Sequence, residues 1–193
     1  MELFDLDIKT IEDVKLLKKY YRQTANKINT LCEELYLNFD ADLIDYQPKI
    51  EFLERLTTEI RNRIYELQSP EFTDGIIDLY RDHLSHFTIT KHNETIPIGA
   101  IEYFNTTKSI PGNISYEINK EFRGHHYALR ALKLIGEALL NKGIKKIFIT
   151  ASSEKNYPSI KTIESFGGVR FYKEDYVAGP IPYTCDLERI YSK

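Results

Sequence analysis

Residues Ile114 to Ala128, ISYEINKEFRGHHYA, constrain the fold of this chain more than any other stretch. Ile114, Tyr116 and Ile118 alternate with Ser115, Glu117 and Asn119, the period-two pattern of a strand. Arg123, Gly124, His125 and His126 then open a segment of different period. Ala128, Ala131, Leu132, Ile135, Ala138 and Leu139 recur at spacings of three and four, which predicts a helix. Gly143 stands where a helix takes a left-handed cap. KIFITA (146–151) follows as a short apolar, β-rich run. Strand, helix and strand in this order predict two parallel strands joined by a crossover. The turn that enters the helix is basic and carries glycine. The N–H groups of a first helical turn lack intrahelical acceptors, and the helix dipole adds positive potential there. Such a turn can cradle an anion.

The first 70 residues read mainly as helix. LFDLDI (3–8) has the pattern of a first strand, and Thr10 and Asp13 resemble an N-cap and its first turn. Val14, Leu17, Tyr21, Ala25, Ile28, Cys32 and Leu35 form one helical stripe. Asn38 to Gln47 is acidic and polar and is expected to be a loop, with Pro48 at a first helical position. Ile50, Leu53, Leu56, Ile60, Ile64 and Leu67 make the apolar face of a second helix, ended by Ser69-Pro70. From about residue 85 the pattern changes. HFTITKH (86–92) and PIGAIEYF (97–104) are expected strands around a polar turn at Asn93. Pro158 to Phe166 is a short helix closed by Gly167-Gly168, and VRFYKEDYV (169–177) and PYTCDLERI (182–190) are two further strands. The expected class is α/β (α+β), a mixed central sheet flanked by helices. One domain spans 1–193, with a helical N-terminal part over 1–70 and a core over 85–190.

Composition narrows the function. A net charge of −3 argues against affinity won by neutralising nucleic-acid phosphates. No apolar run approaches the roughly 18 residues of a membrane span. The acidic start MELFDLD lacks the basic flank and apolar centre of a signal peptide, so a cytoplasmic location is expected. Cys32 and Cys185 form no CxxC pair and are read as packing residues. Adjacent helical side chains such as His125 and His126 do not face each other, and no third ligand has suitable spacing, so no metal is expected.

PGNISYEINKEFRGHHYA (111–128) resembles the acyl-CoA-binding motif of the GNAT N-acetyltransferases. That motif runs Arg or Gln, two variable residues, Gly, one variable residue, then Gly or Ala. Arg123 fills its first position and Ala128 its last, and His126 stands at its central glycine. The segment is similar to a variant in bacterial members, a GNIGY-like strand followed by RGHHYA. NYPSIKTIESFGG, beginning at Asn156, is similar to a second family signature, an Asn that opens a helix ending in Gly. The resemblance covers 97–168 most directly, extends more loosely over 85–96 and 169–190, and is weak over the first 70 residues.

The resemblance implies the GNAT acyl-CoA N-acyltransferase fold and acetyl-CoA as cosubstrate. It implies cofactor contacts from Ile118, Arg123, Gly124, His125, His126, Tyr127 and Ala128 at the turn, and from Asn156 and Ser159 at the second helix. The implied reaction moves an acetyl group to a primary amine of a small molecule, or to the N-terminus of a protein or peptide. Glu117 is the candidate base, because it lies in the strand expected to line the thioester. Many members place a tyrosine acid in the short helix, where this chain has Ile163. Tyr157, Tyr172, Tyr176 and Tyr183 are the alternatives weighed for that acid. Two readings stand: an acetyltransferase, and an acyl-CoA-binding sensor or partner-binding module without turnover. Either is compatible with a homodimer. A doubly wound nucleotide-binding domain would need a GxGxxG or GxxxxGK[ST] turn, and neither is present.

Overall fold

The computed structural model describes residues 7–37, 43–83, 85–104, 113–170 and 180–192. The chain divides into two compact units, 1–69 and 70–193.

The first unit is a pair of packed helices, α1 (Val14–Leu37) and α2 (Leu43–Leu67). Asp13 caps α1 by accepting the N–H groups of Lys15 and Leu16 at 2.8 and 3.2 Å. Thr10, the expected cap, belongs instead to a 3-10 turn over Ile8–Thr10. Ile8, the last residue of the expected first strand, also lies in that turn. The Asp7 carboxylate takes the Lys9 N–H and closes the backbone locally. The strand's residues 3–6 lie outside the described residues.

The buried seam of α1 is Leu17, Thr24 and Leu31, seven residues apart. Thr24 can sit there because its hydroxyl donates to the carbonyls of Tyr21 and Tyr20, at 2.9 and 3.2 Å. The seam passes through Leu31, so Cys32 is exposed and is not a packing residue. In α2 the buried face is Leu53, Leu56, Ile60, Ile64 and Tyr65. This helix starts earlier than expected. Residues 43–47 are helical, Pro48 lies inside the helix, and 38–42 fall outside the described residues. Proline forgoes one backbone bond. The Gln47 Nε2 to Glu51 Oε1 bond at 2.9 Å spans the same turn on the outside.

The second unit is built on an eight-stranded mixed sheet. Its strands are β1 (Phe72–Thr73), β2 (Ile77–His83), β3 (His86–Lys91), β4 (Pro97–Tyr103), β5 (Ile114–Ile118), β6 (Lys146–Ala151), β7 (Val169–Arg170) and β8 (Ile181–Asp186). Their spatial order is β1-β2-β3-β4-β5-β6-β8-β7. The β5–β6 pair is parallel, as its strand–helix–strand unit predicts, and the other pairs are antiparallel. The helices are α3 (Tyr127–Asn141), α4 (Tyr157–Phe166) and α5 (Leu187–Tyr191). Ile77, Leu79, Phe87, Ile89, Ile101 and Ile114 of the sheet share one core with Leu132, Ile135 and Leu139 of α3 and Ile163 and Phe166 of α4.

Strand β2 is not among those expected from the sequence. Its residues Ile77 to Tyr80 are buried on both faces, as are residues 87–90 of β3, so burial does not alternate along either strand. The β2 run even includes a buried acid, Asp78. It pairs with His92 Nδ1 at 2.9 Å and accepts the Asn93 N–H at 3.0 Å, closing the β3–β4 turn. Burial pulls the Asp78 pKa up, but hydrogen bonds from Thr73, His92 and the Asn93 amide outweigh it and hold the carboxyl below its ordinary value.

The C-terminal strand is shorter than expected. The Asp186 carboxylate accepts the Arg189 N–H at 3.1 Å, so the chain turns into α5 and residues 187–190 are not strand. Of the expected strand over 169–177, only Val169–Arg170 is seen, because 171–177 lie outside the described residues.

Candidate active site

The centre of the second unit is a gap between β5 and β6. Their ladder consists of one register pair, Ile114 with Ile149. Asn113, which is buried, clasps the strands at that point. Its N–H donates to the Phe148 carbonyl at 2.7 Å, and its Oδ1 accepts the Phe148 N–H at 2.7 Å. Beyond the clasp β5 stays paired to β4 alone. The Asn119 N–H donates to the Ile98 carbonyl on the β4 side at 2.9 Å. Antiparallel alternation therefore turns the backbone groups of Ser115 and Glu117 to β4, and those of Tyr116 and Ile118 toward the gap.

At its far end the gap meets the entry to α3. A 3-10 turn over Lys120–Phe122 leads to Gly124 at φ 88° and His126 at φ 60° and ψ 18°. His126 is the N-cap, yet it makes no side-chain capping bond. Arg130 donates the first intrahelical bond, to the His126 carbonyl at 3.1 Å. The N–H groups of Tyr127, Ala128 and Leu129 therefore have no acceptor within the helix. Arg123, Gly124, His125 and His126 are all exposed, so the cradle opens to solvent. Arg123 is also a strut, since its Nε donates to the Ile118 carbonyl at 2.8 Å and pins the turn to the end of β5. Among the described residues no group of three His, Cys, Asp or Glu side chains could hold a metal.

The start of α4 forms the other wall. The Asn156 Oδ1 accepts the Ser159 N–H at 3.4 Å, and its Nδ2 donates to Ser152 Oγ at 3.0 Å. The Ser159 hydroxyl lies 3.0 Å from the Tyr116 hydroxyl, joining α4 to β5 across the gap. Ile163 is fully buried in the core. Of the other tyrosines weighed for an acid, Tyr157 is 72% exposed. Tyr183 is buried and directs its hydroxyl to Glu164 Oε1 at 3.4 Å. Tyr172 and Tyr176 fall outside the described residues. Among the described residues, Tyr116 sends its phenol from β5 to the start of α4.

Glu117 lies on the opposite sheet face from Tyr116 and is exposed. Its cross-strand row continues through Ala100 and Thr88, and the next row holds Ser115, Glu102 and His86. Asp82 joins the two rows. It accepts the Thr88 hydroxyl and pairs with His86 Nδ1 at 3.4 Å. The neighbouring Asp82 carboxylate raises the His86 pKa above its ordinary value, against the opposite pull of burial.

Residues 50–168 match the model of the acetyltransferase (GNAT) family. The chain belongs to that family. No curated protein sequence matches it. Among solved structures it is similar to a GNAT-family acetyltransferase from Bacillus anthracis, at 19% identity and a TM-score of 0.46, over 54% of this chain and 67% of that one. It is also similar to the ribosomal-protein-S5-alanine acetyltransferase of Vibrio fischeri, at 18% identity and a TM-score of 0.43, over 67% and 84%. Mycobacterium smegmatis RimJ, solved with CoA-disulfide, aligns at 13% identity and a TM-score of 0.46, over 89% and 80%.

In this GNAT chain the residues singled out from the sequence fall into three places. Ile118 and Arg123 to Ala128 line one turn at the end of β5. Asn156 and Ser159 stand at the start of α4. Glu117 is on the other face of β5. Ser159 of the second place bonds Tyr116 of β5, two residues before Ile118. Sequence reasoning did not single out Asn113 or Tyr116. Tyr116 carries an ordinary strand-face period, and Asn113 precedes the strand without any motif.

Proposed function

We propose that this GNAT chain transfers an acetyl group from acetyl-CoA to a primary amine, of a small molecule or of a protein N-terminus. The observation that supports this most is the junction of a strand gap with an uncapped, solvent-open helix N-terminus. The N–H groups of residues 124–128 would hold the pyrophosphate, and the unpaired edge of β5 would hold the pantetheine arm by its backbone. A Tyr116 or Ile118 N–H facing the gap is a suitable donor to the oxyanion that forms on the thioester carbonyl. Asn156 would orient the α4 end of the groove.

The acceptor amine must lose a proton to react, since a lysine-like ammonium has a pKa near roughly 10. Glu117 is the proposed acceptor of that proton. The reaction calls for a cytoplasmic supply of acetyl-CoA. No helix among the described residues is long and apolar enough to cross a membrane.

The deciding experiment is thiol release from acetyl-CoA with the purified chain and a panel of amines. Amine-dependent CoA release is the expected result, with saturable acetyl-CoA binding by calorimetry. At about 100 times its dissociation constant, acetyl-CoA should stabilise the fold by roughly 2.7 kcal/mol. Binding without release for any amine would favour the non-catalytic module. Absence of binding at millimolar acetyl-CoA would remove both readings.

Glu117→Gln keeps the shape of the side chain and removes its basicity. It should lower kcat about 10²-fold, within the usual range for a general base, and leave acetyl-CoA affinity unchanged. The deficit should be largest for amines of high pKa near neutral pH and shrink as pH rises. An unaltered pH–rate profile would take Glu117 out of the mechanism.

A further inference from the structure

We propose that Tyr116 donates a hydrogen bond to the thioester sulfur and stabilises the departing thiolate, with Ser159 orienting its hydroxyl. This rests on the acetyl-transfer reading above. Two independent features of the fold place the phenol. Tyr116 lies two residues past Ile114, the last β5 residue paired with β6, so it is about 7 Å into the gap along the strand. Its ring is half-buried on the face of α3 and α4, packed against the core. Its hydroxyl reaches the first turn of α4, 3.0 Å from Ser159 Oγ. A thioester laid along the gap from the helix cradle toward the Asn113 clasp would pass β5 at Tyr116.

The chemistry decides between donating a hydrogen bond and giving up a proton. A free alkyl thiol has a pKa near roughly 8.5 and a phenol near roughly 10. Burial pushes the Tyr116 phenol up further, against the opposing bonds to Ser159 and Thr162. Full transfer from phenol to thiolate is therefore uphill. When the C–S bond breaks, the electron pair stays on sulfur, the proton stays on Tyr116, and the O–H points at the new charge. The phenol O–H reaches the Ser159 carbonyl at 3.4 Å, a long bond; with the Ser159 hydroxyl donating to the phenol oxygen, the proton leaves that contact to turn toward the sulfur. The thiolate then takes its proton from solvent. Ile163, at the position where many relatives carry a tyrosine, is sealed in the core and supplies nothing to the sulfur.

The test uses CoA itself, whose free thiol reports on the sulfur site without any turnover. Calorimetric dissociation constants for CoA and acetyl-CoA are measured between about pH 6.5 and pH 9.5, spanning the thiol pKa, for the wild type, Tyr116→Phe and Ser159→Ala. Of the groups facing Tyr116, Ser159 and Thr162 do not titrate. Cys185 of β8, pushed up to about 12 by burial, stays neutral across this range. The wild type should bind CoA more tightly as the thiol ionises. Tyr116→Phe should lose that gain, about tenfold at the alkaline end, as expected for a hydrogen bond to a charged group. Its acetyl-CoA affinity should change less than about threefold, because a thioester sulfur is neutral and a weak acceptor. Ser159→Ala should move in the same direction by less. Equal losses for both ligands, or the same pH dependence in wild type and Tyr116→Phe, would overturn the assignment and leave the CoA site intact. Failure of the wild type to bind CoA at any pH would overturn the site and the assignment together.

Discussion

Gly124→Val should weaken acetyl-CoA binding by about 10²-fold or more and leave the second unit folded. Gly124 has φ 88°, a region in which a β-branched residue is a severe outlier. A Cβ built there meets no protein atom within 4 Å. The fold therefore loses the backbone strain alone, about 1–3 kcal/mol. To escape that strain the chain must rotate at Gly124, and rotation would swing away the amides of residues 125–128 that are proposed to hold the pyrophosphate. The added methyl groups would also fill the open space in which a pyrophosphate is proposed to lie. Calorimetry and thermal denaturation on the same preparation separate the effects. Parallel loss of stability and affinity would mean that Gly124 serves the turn only.

His126→Gly is the opposing case. His126 holds φ 60° without a capping bond, so glycine should relieve strain of about 1 kcal/mol. The melting temperature should hold or rise, and acetyl-CoA affinity should stay similar or increase. A large loss of affinity would show instead that the imidazole ring touches the phosphate.

Leu132→Ala should cost about 2–5 kcal/mol, enough to consume much of the stability of a domain this size. Leu132 is fully buried on α3, in the core that α3 shares with Ile77, Leu79 and Ile114 of the sheet. Truncation removes its contacts and leaves a cavity that rigid strands cannot close. The neighbouring Lys133 is exposed, and its alanine variant should stay within about 0.5 kcal/mol. Urea titration should show the Leu132→Ala midpoint falling with an unchanged slope. A cost below about 1 kcal/mol would mean that α3 is not docked on the sheet, and the cradle at its N-terminus would lose its support.

The sequence by itself determined whatever is encoded by neighbouring residues. The strand from Ile114, the turn at Gly124 and the helix closed by Gly143 were legible because period and turn chemistry act over a few residues. The same holds for β3, β4, β6 and α4, and for the opposite facing of Glu117 and Tyr116, which strand alternation requires. Asp186 shows how far such signals can mislead, since its cap ends a strand that Leu187, in step with Tyr183 and Cys185, continues by period. Burial on both faces hid the alternation of β2, and Asp78 can be buried there because His92 and the Asn93 N–H satisfy its carboxylate. Likewise Thr24 entered a helix seam because its hydroxyl could turn back on its own backbone. Tertiary structure alone decided the site's interior. Asn113 bonds Phe148, 35 residues away, and Tyr116 meets Ser159, 43 residues away. Neither contact has a local signature, because each joins elements that are specified separately along the chain.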